Sequence, residues 1–210
     1  MYPAKEVVTS EAEIRAVIPG QREAQMTKFI DHVDPLIADW IARSTFLALA
    51  TYDREGRVDV SPKGDPAGFV KVLDRKTLAV PDRPGNHRFD GFLNILDTGR
   101  IGLVFLVPNR NEVVRVNGSA RVVRDEDIRA LCAIKGRVPE FAILVDVEEA
   151  FFHCGKAIIR SRLWFPQEAG PIEGLPTYAE ALKAHADISP PMEELEARLL
   201  HNDQNRLYDE

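Results

Sequence analysis

VRVNGSARV, residues 114–122, alternates polar and apolar side chains without a break. Arg115, Asn117, Ser119 and Arg121 fall on one side, and Val114, Val116, Gly118, Ala120 and Val122 on the other. This is the period of a strand with one wet face and one packed face. The pattern spreads in both directions. Residues 101–107 form the longest apolar run and read as a buried strand, and residues 141–147 continue through Phe151 and Phe152 as a strand with a bend. Upstream, the apolar run 46–51, the turn residues 53–56, and Val58 and Val60 alternating with Arg57, Asp59 and Ser61 predict a hairpin. Shorter strands are expected at 68–73 and 76–80, on either side of the turn at Asp74 and Arg75.

Helices are expected at the margins. Ser10 followed three residues on by Glu13 is a capping-box pattern, and residues 35–43 place Leu36, Ile37, Trp40 and Ile41 on one face. Residues 88–97 and 125–135 read as short helices, the second with Asp125 as N-cap. About six short strands joined by turns, with few helical crossovers, argue for an antiparallel barrel over a doubly wound sheet. The chain is thus expected to be mainly β with peripheral helices (α+β). It divides into an N-terminal helical segment 1–44 packing on the barrel, a barrel domain 45–165, and an acidic, proline-punctuated tail 166–210 with helices at 177–185 and 192–200.

The 210 residues are 45% hydrophobic and 29% charged, with a formal charge of −6. That balance excludes a general nucleic-acid binder, which needs surplus Lys and Arg against phosphate. No apolar run reaches the ~20 residues of a membrane helix, and no secretory leader is visible, so a cytoplasmic protein is expected. The charge is uneven. Residues 166–210 hold ten acidic and three basic residues, a net of −7, leaving +1 for everything before them, while residues 54–88 hold eight basic and five acidic, a net of +3.

Within that basic stretch Ser61, Lys63, Asp65, Asp82, Arg83, Asn86 and Arg88 fall at strand ends or tight turns stiffened by prolines. Guanidinium and amide donors on stiff turns suit a phosphate, since an Arg fork can pair two of its oxygens; two charged hairpin loops on the surface are the plainer alternative. Cys132 and Cys154 make no disulfide framework, and His153 beside Cys154 lacks the further ligands of a metal site. The chain carries no Gly-x-Ser-x-Gly elbow, no Gly-x-Gly-x-x-Gly and no phosphate-binding P-loop.

Five segments together resemble one family. SPKGDP (61–66), PDRPGNHR (81–88), Asn94, RVNGSARVV (115–123) and FFHCGKAIIRSRLW (151–164) are similar, in order, to the pyridoxamine 5′-phosphate oxidase-like flavoproteins. The resemblance implies a split β-barrel homodimer with FMN at the subunit interface and a small-molecule substrate or electron donor. Carried over by position, Arg83, Asn86 and Arg88 are expected on the phosphate, with Ser61 and Lys63 approaching the flavin and Asp82 orienting Arg83. His153, Lys156, Arg160, Ser161 and Trp164 are expected from the second subunit. The oxidase of vitamin B6 metabolism ends in an Arg-x-His motif that this chain lacks, so the resemblance does not extend to that activity. An FMN-dependent oxidoreductase is the leading expectation, with a non-enzymatic flavin-binding sensor or carrier, or a deazaflavin-dependent reductase, as alternatives.

Overall fold

The structure, a computed structural model, describes residues 2–18, 20 and 23–209, and for residues 24 and 26 the backbone alone. Positions 1, 19, 21 and 22 of the 1–44 segment, and 210 of the tail, lie outside the described residues. Three helices come first: α1 (Glu11–Val17), the single turn α2 (Glu23–Met26) and α3 (Pro35–Arg43). Ser10 caps α1, its hydroxyl accepting the Glu13 N–H at 3.3 Å, but the Glu13 carboxylate returns to the Thr9 N–H at 3.1 Å, one residue off the expected box. Asp34 caps α3 by accepting the Ile37 N–H at 2.8 Å, with Pro35 pre-set at the first position. Ile37 and Ile41, one helical turn apart, enter the core with Trp40 beside them. Leu36 is a correction to the expected face: it lies about 100° around the helix from Ile37 and is 69% exposed.

The hairpin β1 (Phe46–Tyr52) and β2 (Val58–Gly64) follows, then the short β3 (Lys71–Val72) and β4 (Thr77–Pro81). The strand expected at 68–73 is reduced to two residues. Gly68 turns the chain at φ +81°, and Phe69 and Val70 sink into the core instead of joining the sheet. Next come α4 (Asp90–Thr98), β5 (Arg100–Leu106), β6 (Val113–Val123), α5 (Glu126–Leu131), β7 (Ala142–His153) and α6 (Lys156–Ser161). Asp125 stands at the N-cap of α5 but its side chain makes no capping bond, another correction. After a 3-10 turn (Pro166–Glu168), α7 (Tyr178–His185) and α8 (Met192–Asn205) complete the order. Thr177 and Glu180 form a reciprocal capping box on α7, and α8 runs five residues beyond its expected end.

All seven strands form one antiparallel sheet in the order β2-β1-β5-β6-β7-β4-β3. β6 and β7 are its long central pair. Between Asn117, opposite Glu149, and Gly118, opposite Val147, the register slips by one residue, and this bulge is the bend legible in the sequence. Gly118 is required there, because a Cβ would lie 2.0 Å from the Asp146 carbonyl oxygen. The sheet curls round a main core to which β1, β4, β5, β6, β7 and α3 all contribute, and a smaller cluster gathers Ala79, Cys132 and Leu144. Its edge strands are β2 and β3, and β2 and the last residue of β4, Pro81, line one cavity with no strand pairing between them, so the barrel is split. No helix among the described residues is long and apolar enough to cross a membrane.

Candidate functional site

The split opens into a cleft of about 380 Å³ between β2, the loop 82–89 and the start of α4. β2 is turned against simple expectation. Val58 and Val60 are 72% and 61% exposed, while Asp59, Ser61 and Lys63 are half-buried on the inner side. An edge strand whose polar residues face inward serves a cavity that must be wet or liganded. All six residues expected from the central hairpins, Ser61, Lys63, Asp82, Arg83, Asn86 and Arg88, line this cleft. Asp59, His87, Phe89 and Asp90 line it too and were missed; Asp59 was legible, being two residues before Ser61 on the same strand face.

The loop is held in unusual backbone conformations. His87 and Phe89 have φ of +56° and +58°, which costs a non-glycine residue free energy and persists only where surroundings impose it. Their rings stack at 6.1 Å. Phe89 at the N-cap of α4 offers no side-chain cap, so the helix starts at the cleft, where Asp90, Gly91 and Phe92 are lining residues. Backbone N–H groups and the positive end of the helix dipole therefore meet the cavity. The helix itself begins two residues later than expected because Phe89 is left-handed.

The cations differ sharply in their commitments. Arg83 donates from Nε to Asp65 Oδ2 at 2.6 Å and from Nη2 to the Cys132 carbonyl at 2.9 Å. The carboxylate orienting this bond is Asp65, 1% exposed, where Asp82 was expected. Arg88 pairs with Asp90 at 2.7 Å, and its N–H donates to Asn86 Oδ1 at 3.1 Å. The Lys63 ammonium has no hydrogen-bond or ion-pair partner among the described residues. The +3 of residues 54–88 is not concentrated here, because Arg54, Arg57 and Lys76 pair elsewhere with Asp97, Asp53 and Asp31. Lys63, Arg83 and Arg88 meet Asp59, Asp82 and Asp90 in the lining, so the cleft is formally neutral, and the Lys63 ammonium and the Asp59 carboxylate both stand outside the hydrogen bonds and ion pairs of the described residues.

The remaining expected residues lie elsewhere on the chain. His153 ends β7 opposite Val113, and Lys156, Arg160 and Ser161 belong to α6, where the Ser161 hydroxyl donates to the Ile158 carbonyl. Trp164 donates from Nε1 to the Arg110 carbonyl at 2.7 Å. None of the five lines the cleft of its own chain. Burial, Arg115 and Lys28 hold the His153 imidazole below its usual pKa, favouring the neutral ring. Asn94 donates to the Thr51 hydroxyl at 3.0 Å, joining α4 to β1.

The sequence model of one family, described as pyridoxamine 5′-phosphate oxidase, matches residues 33–154. Among solved structures, HupZ of Group A Streptococcus is 22% identical over 57% of this chain and 93% of that one, with a TM-score of 0.48. A proposed pyridoxamine 5′-phosphate oxidase of Lactobacillus delbrueckii is 24% identical over 58% and 95%, with a TM-score of 0.47. An FMN-binding protein of Syntrophomonas wolfei is 12% identical over 54% and 86%, with a TM-score of 0.40. No curated protein matches the chain.

Proposed function

The chain belongs to the pyridoxamine 5′-phosphate oxidase family, and from that premise we propose that it is a cytoplasmic, homodimeric FMN-dependent oxidoreductase acting on a small-molecule substrate. The carrying observation is the meeting of an uncommitted Lys63 with the uncapped start of α4 in one polar cleft. Both favour a phosphate, one by charge and one by N–H donors and dipole. Ser61 and Asn86 add neutral hydrogen-bonding groups, while Leu49, Phe92 and Ile143 give apolar wall for a ring. These residues fit FMN, which supplies hydride or electron chemistry when bound.

In this reading Arg88 and Asn86 hold the phosphate end, and Lys63 favours negative charge on the bound molecule. Arg83, already tied to Asp65, offers its remaining N–H groups from a fixed position. His153, Lys156, Arg160, Ser161 and Trp164 come from the second copy. Residues 45–165 form the flavin-binding unit, with 1–44 packed on it and 166–210 as an appendage. The test is titration of the purified protein with FMN and with riboflavin, followed by flavin fluorescence. FMN is expected to bind at least tenfold tighter, and equal affinities would remove the phosphate site. Turnover with NADH or NADPH then separates an enzyme from a flavin-binding sensor or carrier.

A further inference from the structure

The cleft continues into a second compartment of about 420 Å³, walled by Leu207 and Tyr208 and sharing Lys63, Arg83 and Asn86 with the first. Nothing in the family pattern or the charge count pointed to these two residues. They belong to the acidic segment after α8, which returns to the barrel 143 residues from its partner. There the Tyr208 hydroxyl donates to Asp65 Oδ1 at 2.7 Å. The other oxygen of the same carboxylate accepts from Arg83 Nε. The Tyr208 ring lies 6.0 Å from the Arg83 guanidinium and 5.2 Å from Lys135 Nζ, and Arg137 holds Asp209 at 2.8 Å.

A buried carboxylate with one donor on each oxygen has little freedom to rotate. Removing either donor leaves an oxygen unsatisfied where water has no ready access, and the carboxylate then shifts toward whatever donor remains. From this geometry we infer that Tyr208 is a positioning residue for the cleft, holding Arg83 through Asp65 so that the guanidinium meets a bound phosphate without reorganising. Docking of residues 206–209 and ligand binding are then coupled, and the coupling is reciprocal: ligand tightens the segment by the factor by which the segment tightens ligand. The inference rests on reading the cleft as an FMN site.

The experiment compares FMN and riboflavin dissociation constants for the full chain, Tyr208→Phe, Asp65→Asn, their double variant and a chain ending at Asn205. Tyr208→Phe is expected to weaken FMN about tenfold or more, as loss of a hydrogen bond to a charged group does, and to leave riboflavin unchanged. The double variant is expected to be no weaker than Asp65→Asn alone, because Tyr208 acts through that carboxylate. FMN is expected to slow carboxypeptidase trimming of residues 206–209 in the full chain and less so in Tyr208→Phe. Equal FMN affinity in Tyr208→Phe, equal losses for FMN and riboflavin, or tighter FMN in the shortened chain would each overturn the positioning role. Failure of the unaltered chain to bind FMN would instead overturn the functional reading.

Discussion

Removing Arg83 leaves Asp65 buried without the guanidinium that takes its Oδ2, whereas removing Lys63 leaves nothing behind. Breaking one side of a buried ion pair typically costs about 3–5 kcal/mol. Arg83→Ala is therefore expected to lower Tm by about 10 °C for a chain of this size, and its loss of flavin would not by itself identify a ligand. Lys63→Ala is the cleaner probe. It is expected to weaken FMN about tenfold at low salt with Tm within about 1 °C, read by fluorescence titration and calorimetry. Tyr208 gives a pH signature of its own. The hydrogen bond to Asp65, followed by burial, raises its hydroxyl pKa above the ordinary 10. A group whose folded pKa is raised stabilises fully below its unfolded value and loses that contribution as pH rises through the folded one. The tether is thus intact at neutral pH and released above about pH 10. A spectroscopic titration should show one tyrosine ionising late, and that delayed step should vanish in Tyr208→Phe.

At the scale of elements, the bulge between β6 and β7 depends on a glycine that no propensity argument could distinguish from a weak point in a strand. Gly118→Ala would drive a Cβ into the Asp146 carbonyl and is expected to cost about 2 kcal/mol or more, measured by denaturant unfolding. The segment before α3 is held by backbone bonds to core strand β7 and to the turn before β4, and by one exposed ion pair. Ile30 bridges to Ala150, the Val33 N–H donates to the Arg75 carbonyl, and Lys76 reaches Asp31 at 2.7 Å. The Lys76 hydrogen bond above all holds the Asp31 carboxyl down to about 2. Its contribution is present above the unfolded value near 3.8 and lost as pH falls through 2. Hydrogen exchange at residues 30–33 should rise in that acid window, and Asp31→Asn should remove the dependence. Most strands were legible because an alternating period survives in 114–122 and a continuous apolar run in 101–107. The direction β2 faces was not legible, since Val58 and Val60 name the inner face by hydrophobicity and the outer face in fact. Nor was the partner of Arg83, because Asp65 and Asp82 are equally plausible along the chain and only the fold brings one of them to Nε.

For the whole molecule, the outward valines of β2 become intelligible only with their neighbours. Val60 stands opposite Ala50, and Pro62 opposite Ala48, while Ala48 and Ala50 face Val104 and Gly102 of β5 on their other side. The result is a low-relief apolar surface across three strands, of a kind that soluble monomers rarely leave in water. In the proposed homodimer a second copy would cover this surface and supply its His153 and α6 to the cleft, which the chain's own copies of those residues do not line. Two consequences must then move together. Ala50→Arg introduces a charge at the centre of this surface at a position that is not itself part of the cleft lining, beside Val60. Light scattering on the variant should give a folded species of about half the native mass, with unchanged helix and strand content by circular dichroism. FMN affinity should fall by at least tenfold, although every cleft residue of the chain is intact, because an interface held by apolar contact does not bury an unpaired guanidinium. A monomer that binds FMN as tightly as the unaltered protein would mean that one chain completes the site alone, and the five residues from β7, α6 and the turn after it would then need another role.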